Sequence, residues 1–123
     1  MVQDFKNIQV WQDSINFHKA LISELAKFPK EEQYAMNSQL RRASLSISNN
    51  IAEGCGKSSK KEFRSYLLNA MGSCKEVESM LYMARELNYI TELTFKKLND
   101  DINIIGKKLN SFIQTLNQGI ENS

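Results

Sequence analysis

Apolar residues recur along this chain at alternating steps of four and three. From Phe63 the series Phe63, Leu67, Ala70, Cys74, Val77, Leu81 and Ala84 keeps one face of a long helix, and Phe95, Leu98, Ile102, Ile105, Leu109, Phe112 and Leu116 do the same further on. Trp11, Ile15, His18, Ile22 and Leu25 trace a shorter stripe, and Met36, Leu40, Ala43, Ile47 and Ile51 trace another. The pattern predicts four helices, at about residues 10–27, 31–53, 60–89 and 92–117. Local signals mark their ends. Pro29 breaks the first pair, Gly54 suits a left-handed C-cap, Ser59 with Glu62 forms a capping box, and Thr91 can cap the last helix. Connections this short make neighbours antiparallel, so the expected fold is all-α, one up-down-up-down four-helix bundle over residues 1–123. The ends, up to about Lys6 and beyond about Asn117, are expected to fray.

The 123 residues are enough for one core, and 41% hydrophobic with 24% charged is the composition of a globular protein. Apolar runs are too short to span a membrane, and the start lacks the basic and apolar regions of a signal peptide, so a cytoplasmic protein is expected. Two cysteines agree: Cys74 falls on a core stripe and Cys55 between two glycines in a loop, neither a disulfide framework nor a metal spacing. No cofactor or metal is implied.

Catalytic patterns fail one by one. Gly56, Lys57 and Ser58 resemble the end of a phosphate-binding loop, but Ile51 stands where its first glycine belongs and no strand precedes it. A di-iron bundle needs Glu-x-x-His on two helices, and the chain has one histidine. That residue, His18, lies on the inner stripe of the first helix as a structural histidine, with no nucleophile near it in sequence. No catalytic residue, and no small-molecule substrate, is expected.

Charge changes the picture. Between Gln39 and Arg64 stand Arg41, Arg42, Lys57, Lys60, Lys61 and Arg64 against two acids, Glu53 and Glu62, while the rest of the chain is net negative. Lys60 and Lys61 occupy a first helical turn, where the macrodipole disfavours cations. An anion docked at the helix start, approached by amides at Gly54 and Gly56 with donors from Lys57, Ser58 and Ser59, reverses that sign. Arg41 and Arg42 stand roughly 18 Å up the bundle at 1.5 Å per residue, with Lys107 and Lys108 expected at the same height on the fourth helix. Such a stripe suits a polyanion, and these six residues are the candidate nucleic-acid contacts. Aromatic residues lie mainly on core stripes, so base-specific readout is not expected. The alternative is a scaffold binding an acidic protein.

The outer faces of the central helices carry a second anomaly. Leu45 on the second helix and Leu68, Gly72 and Met83 on the third point away from the core, and an interior glycine costs about 0.8–1.0 kcal/mol relative to alanine. Close approach of a second copy explains both, so these four residues are the expected oligomer interface.

Several segments are similar to a known family: VWQ at Val10 to Gln12, FPKEEQY at Phe28 to Tyr34, QLRRASLSISNNIAEG at Gln39 to Gly54, SKKEFRSYL at Ser59 to Leu67, and AMGSCKEVE at Ala70 to Glu78. With these the chain resembles the four-helix-bundle proteins encoded within 23S rRNA intervening sequences in bacteria, which look related to the accessory variability proteins of diversity-generating retroelements. The family often has proline where this chain has Ser48, which leaves a kink there open. The resemblance implies a homo-oligomeric barrel, a pentamer, that binds RNA or DNA, with RNA preferred, and it implies no catalysis.

Overall fold

A computed structural model describes residues 4–32 and 34–122, and the described residues form helices and no strand. A short 3-10 turn, Phe5–Asn7, leads into α1 (Gln9–Leu25); α2 spans Met36–Cys55, α3 Lys60–Glu86 and α4 Glu92–Glu121. Each helix packs on its neighbours in the chain, and α4 closes on α1, so α2 and α4 stand diagonally across the bundle. None is long and apolar enough to cross a membrane.

The core follows the periodicity closely on α3, where all seven stripe residues from Phe63 to Ala84 are buried. On α2, Leu40, Ala43, Ile47 and Ile51 are buried and Met36 packs at the margin. On α1 the innermost line is Val10, Ser14, Phe17, Leu21 and Leu25, while Trp11, Ile15, His18 and Ile22 are half-buried. Apart from Leu25, buried as expected, the expected stripe is one residue, about 100°, out of phase, because α1 is apolar over a wide arc and periodicity alone cannot choose its centre. On α4, Ile113 is buried in place of Phe112, which packs edge-on against Phe63 with centroids 5.2 Å apart.

Helix ends follow local chemistry. Pro29 begins a 3-10 turn over Lys30–Glu32, with the Glu32 amide donating to the Pro29 carbonyl at 3.0 Å, so α2 starts at Met36 rather than near 31. The Glu32 carboxylate then accepts from the Met36 amide at 3.4 Å and from the Tyr89 hydroxyl at 3.0 Å, fastening the start of α2 to the α3–α4 turn. That bond, before burial and Glu31, raises the pKa of the Tyr89 phenol. Ser59 caps α3 through the Glu62 amide at 3.1 Å, and Thr91 caps α4 through the Thr94 amide at 3.1 Å. The turn after α3 passes through Asn88, whose φ of 61° is the left-handed conformation that asparagine tolerates. Among the described residues both ends carry helical structure, while residues 1–3 and 123, on which the expected fraying also falls, lie outside them. Asp4 caps the first turn, Phe5 stacks edge-on against Trp11, and α4 runs on to Glu121. Ser48 lies within an unbroken α2, donating to the Leu45 carbonyl at 3.1 Å.

Gly54 departs from the left-handed cap expected of it. It lies inside α2 with ordinary helical backbone, and a Cβ there would stand 2.7 Å from Tyr66 Cβ and 3.0 Å from Phe63 Cδ1. Its bare backbone lets α2 and α3 close on each other at the corner. Cys55 accordingly ends the helix as a core residue, 2% exposed, rather than standing in a loop.

Candidate nucleic-acid interface

Four of the six candidate cations come together where α2 gives way to α3. Lys61 is exposed in the first turn of α3, and Lys57 lies over the Tyr66 ring with Nζ 5.1 Å from its centroid. Arg64 Nη1 donates to Asn117 Oδ1 of α4 at 2.8 Å. Lys60 crosses to the last turn of α4, where its Nζ lies 2.8 Å from the position a Cβ on Gly119 would take. A cation there meets the negative end of the α4 macrodipole, which offsets its unfavourable place in α3. A helix end far along the chain therefore relieves Lys60, and Lys61 alone of the pair keeps the penalty.

The loop amides are less available than expected. Gly56 and Lys57 donate to the Glu53 and Gly54 carbonyls at 3.2 and 3.1 Å, closing the last turn of α2. Ser58 and Ser59 both direct their hydroxyls to Glu62 Oε1 at 3.3 Å, so a carboxylate of the chain itself already sits at the start of α3. The corner offers cationic side chains to an anion, not a cradle of backbone.

Arg41 and Arg42 are not part of this cluster. They lie 13 or more residues before Cys55, roughly 20 Å along α2. Arg41 Nε donates to Asn37 Oδ1 at 2.8 Å, and Asn37 Nδ2 in turn donates to the Leu25 carbonyl at 2.9 Å. This relay ties α2 to the end of α1, so Arg41 has a structural task. Arg42 is exposed on the outer face. Lys107 and Lys108, on the diagonal helix α4, cannot continue the same stripe, and Lys108 is bound to Asp13 of α1 at 2.6 Å. Position along the chain placed these residues at plausible heights but left the direction around the bundle open.

The outer-face residues stand where expected: Leu45 is 43% exposed, Leu68 and Met83 52% each, and a Cβ on Gly72 would meet nothing within 4 Å. Other exposed apolar side chains, such as Leu93 and Ile104, gave no outer-face signal and escaped the sequence reading.

His18 Nδ1 lies 2.9 Å from Ser44 Oγ, a serine and histidine brought together from different helices. Ser44 is 1% exposed, so no substrate reaches its hydroxyl, and the contact joins α1 to α2. Burial first, and Arg41 second, lowers the pKa of the imidazole. Among the described residues no group of three or more His, Cys, Asp or Glu is placed to hold a metal ion.

Fold and surface together define an antiparallel four-helix bundle with a lysine-rich corner at one end. The chain belongs to the 23S rRNA-intervening sequence protein family, whose model it matches over residues 6–111. Among solved structures it is similar to a protein of unknown function from the S23 ribosomal protein family of Bacteroides thetaiotaomicron, at 27% identity and a TM-score of 0.79, over 85% of this chain and 97% of that one. A search among curated proteins gives no match.

Proposed function

We propose that this protein is a non-enzymatic, homo-oligomeric nucleic-acid-binding bundle of the bacterial cytoplasm, with RNA as its preferred ligand. The observation that carries the reading is the cluster of Lys57, Lys60, Lys61 and Arg64 at one corner of a chain whose family is defined by ribosomal RNA intervening sequences. The resemblance to retroelement accessory proteins extends the same reading to DNA. Five copies, meeting through Leu45, Leu68, Gly72 and Met83, would repeat the corner around an axis, and several weak contacts then act together on one strand through effective concentration. Arg42 extends the surface of each copy, while Arg41 supports it from behind.

Phosphates held by side chains alone give binding that depends on salt far more than on sequence. With about four phosphates neutralised per corner, log affinity against log salt falls with a slope of roughly −3, taking 0.7 to 0.9 per phosphate. Lys60→Glu combined with Lys61→Glu weakens the complex on every sequence while the fold stays near neutral in stability. A carboxylate at position 61 would favour the start of α3, and loss of Lys60 costs the end of α4 a similar few tenths of a kcal/mol. Fluorescence anisotropy with a structured RNA and a scrambled duplex at several salt concentrations measures both. Equal binding by the double mutant, or none by the wild type at low salt, would leave the corner a solvated face and favour a scaffold for an acidic protein.

A further inference from the structure

Midway along the bundle, the seam between α3 and α4 holds a recess of about 300 Å³, at the small end of the roughly 300–1,000 Å³ that ligand sites occupy. Met71 and Ile102 give it an apolar floor beside the Cys74 thiol, which burial pushes up to about 12 and so keeps neutral. Asn103, Asn110 and Glu78 supply polar walls, and Lys75 and Lys107 are exposed at the rim.

Two features of this recess are not explained by the fold. Gly106 lines it from the interior of α4, and a Cβ there would meet nothing within 4 Å. Such a glycine costs about 0.8–1.0 kcal/mol relative to alanine. At Gly54 a neighbouring helix accounts for the missing side chain; at Gly106 none of the described residues does. The second feature is a pair of acceptors brought together from two helices, Asn103 Oδ1 of α4 and the Glu78 carboxylate of α3. Asn103 Nδ2 donates to the Asn99 carbonyl at 2.7 Å, and since a carbonyl only accepts, the amide is turned with Oδ1 away from that bond. The Glu78 carboxylate is held by Lys75, at 3.3 Å on the helix surface. A flat apolar group that donates hydrogens from its edge and carries negative charge beside it matches this lining.

We propose that the recess takes one unpaired nucleotide whose base carries an exocyclic amino group, the base lying over Met71 and Ile102, the amino group donating to Asn103 and Glu78, and the adjoining phosphates meeting Lys75 and Lys107. A uracil at the same place would set its carbonyl against those acceptors and is disfavoured. The inference rests on the nucleic-acid reading and adds a base preference that the corner alone cannot give.

Anisotropy at fixed salt would compare three RNAs: a perfect duplex, the same duplex with one bulged adenosine, and one with a bulged uridine. The adenosine bulge binds about tenfold tighter than the other two, and Gly106→Leu, which fills the recess, brings all three to the duplex level with the light-scattering mass unchanged and the melting temperature equal or higher, since the helical cost of the glycine is removed. Asn103→Leu, which removes the acceptor and leaves the glycine, abolishes the same preference. Equal affinity of wild type for the three RNAs, or a preference that survives both substitutions, overturns the inference and leaves the corner reading standing. A changed mass in Gly106→Leu also overturns it, by making the recess a contact between copies. If wild type binds none of the RNAs, the general reading fails, and NMR titration with adenosine and uridine monophosphates decides the recess by itself: shifts at the Gly106 amide with the first alone support it, and their absence ends it.

Discussion

His18 owes its state to two neighbours, partial burial against α2 and the Arg41 guanidinium, both of which favour the neutral imidazole. A histidine with a lowered folded-state pKa contributes stability that is present above its unfolded value of 6.5 and is lost as pH falls through the lower folded value. The urea midpoint of wild type should therefore drop on going from pH 7.5 to about 5.5, above the range where ordinary carboxylates titrate, while His18→Gln shows a flatter profile. Identical profiles for the two proteins would dismiss the linkage. The sequence put His18 on the inner stripe and gave it no catalytic partner nearby. It could not reveal Ser44, 26 positions away, because that contact depends on how α1 is rotated about its own axis.

Among the elements, the stripe of α3 was legible in full, all seven residues from Phe63 to Ala84 being buried. The shorter α1 was not, since two adjacent apolar lines compete and α2 and α4 decide between them. Gly54 was noticed for a conformation it does not adopt: a left-handed cap and a close helix crossing both require a missing Cβ, and a single sequence does not distinguish them. The two accounts predict different sites of damage. Gly54→Ala places a methyl 2.7 Å from Tyr66 Cβ and must push α2 and α3 apart, at a cost of about 1–3 kcal/mol typical of overpacking. Equilibrium urea unfolding checks it, and a change below about 0.5 kcal/mol, the scatter of ordinary surface substitutions, would mean that the helices part without strain.

For the whole molecule, the proposed assembly would join the outer face and the corner in one function. Single exposed apolar side chains are ordinary; the combination of Leu45, Leu68 and Met83 with an interior glycine whose Cβ would touch nothing is what points to a second copy. Gly72→Leu should lower the mass seen by light scattering and leave helicity unchanged. A wild-type chain that is monomeric at micromolar concentration would remove the oligomer, and an unchanged mass in the mutant would move its interface elsewhere. The bundle was visible in the sequence because periodicity reports which residues share a helix face. The six-residue stripe was only partly so: charge density locates a segment, whereas the side of the bundle to which each cation turns is set by Asn37, Asn117 and the end of α4.

The contact of Gly54 with Tyr66 has a further consequence for recognition. With no room for even a Cβ between residue 54 and Tyr66, and with Cys55 buried behind it, the turn between α2 and α3 is packed in place without a ligand. Ordering a flexible loop subtracts from affinity; a corner already in place forgoes only the rotamer entropy of its lysines and arginine. In the proposed complex, selectivity between shapes of polyanion would then be a property of the frame, with charge supplying the attraction and the missing methyl at residue 54 the stiffness.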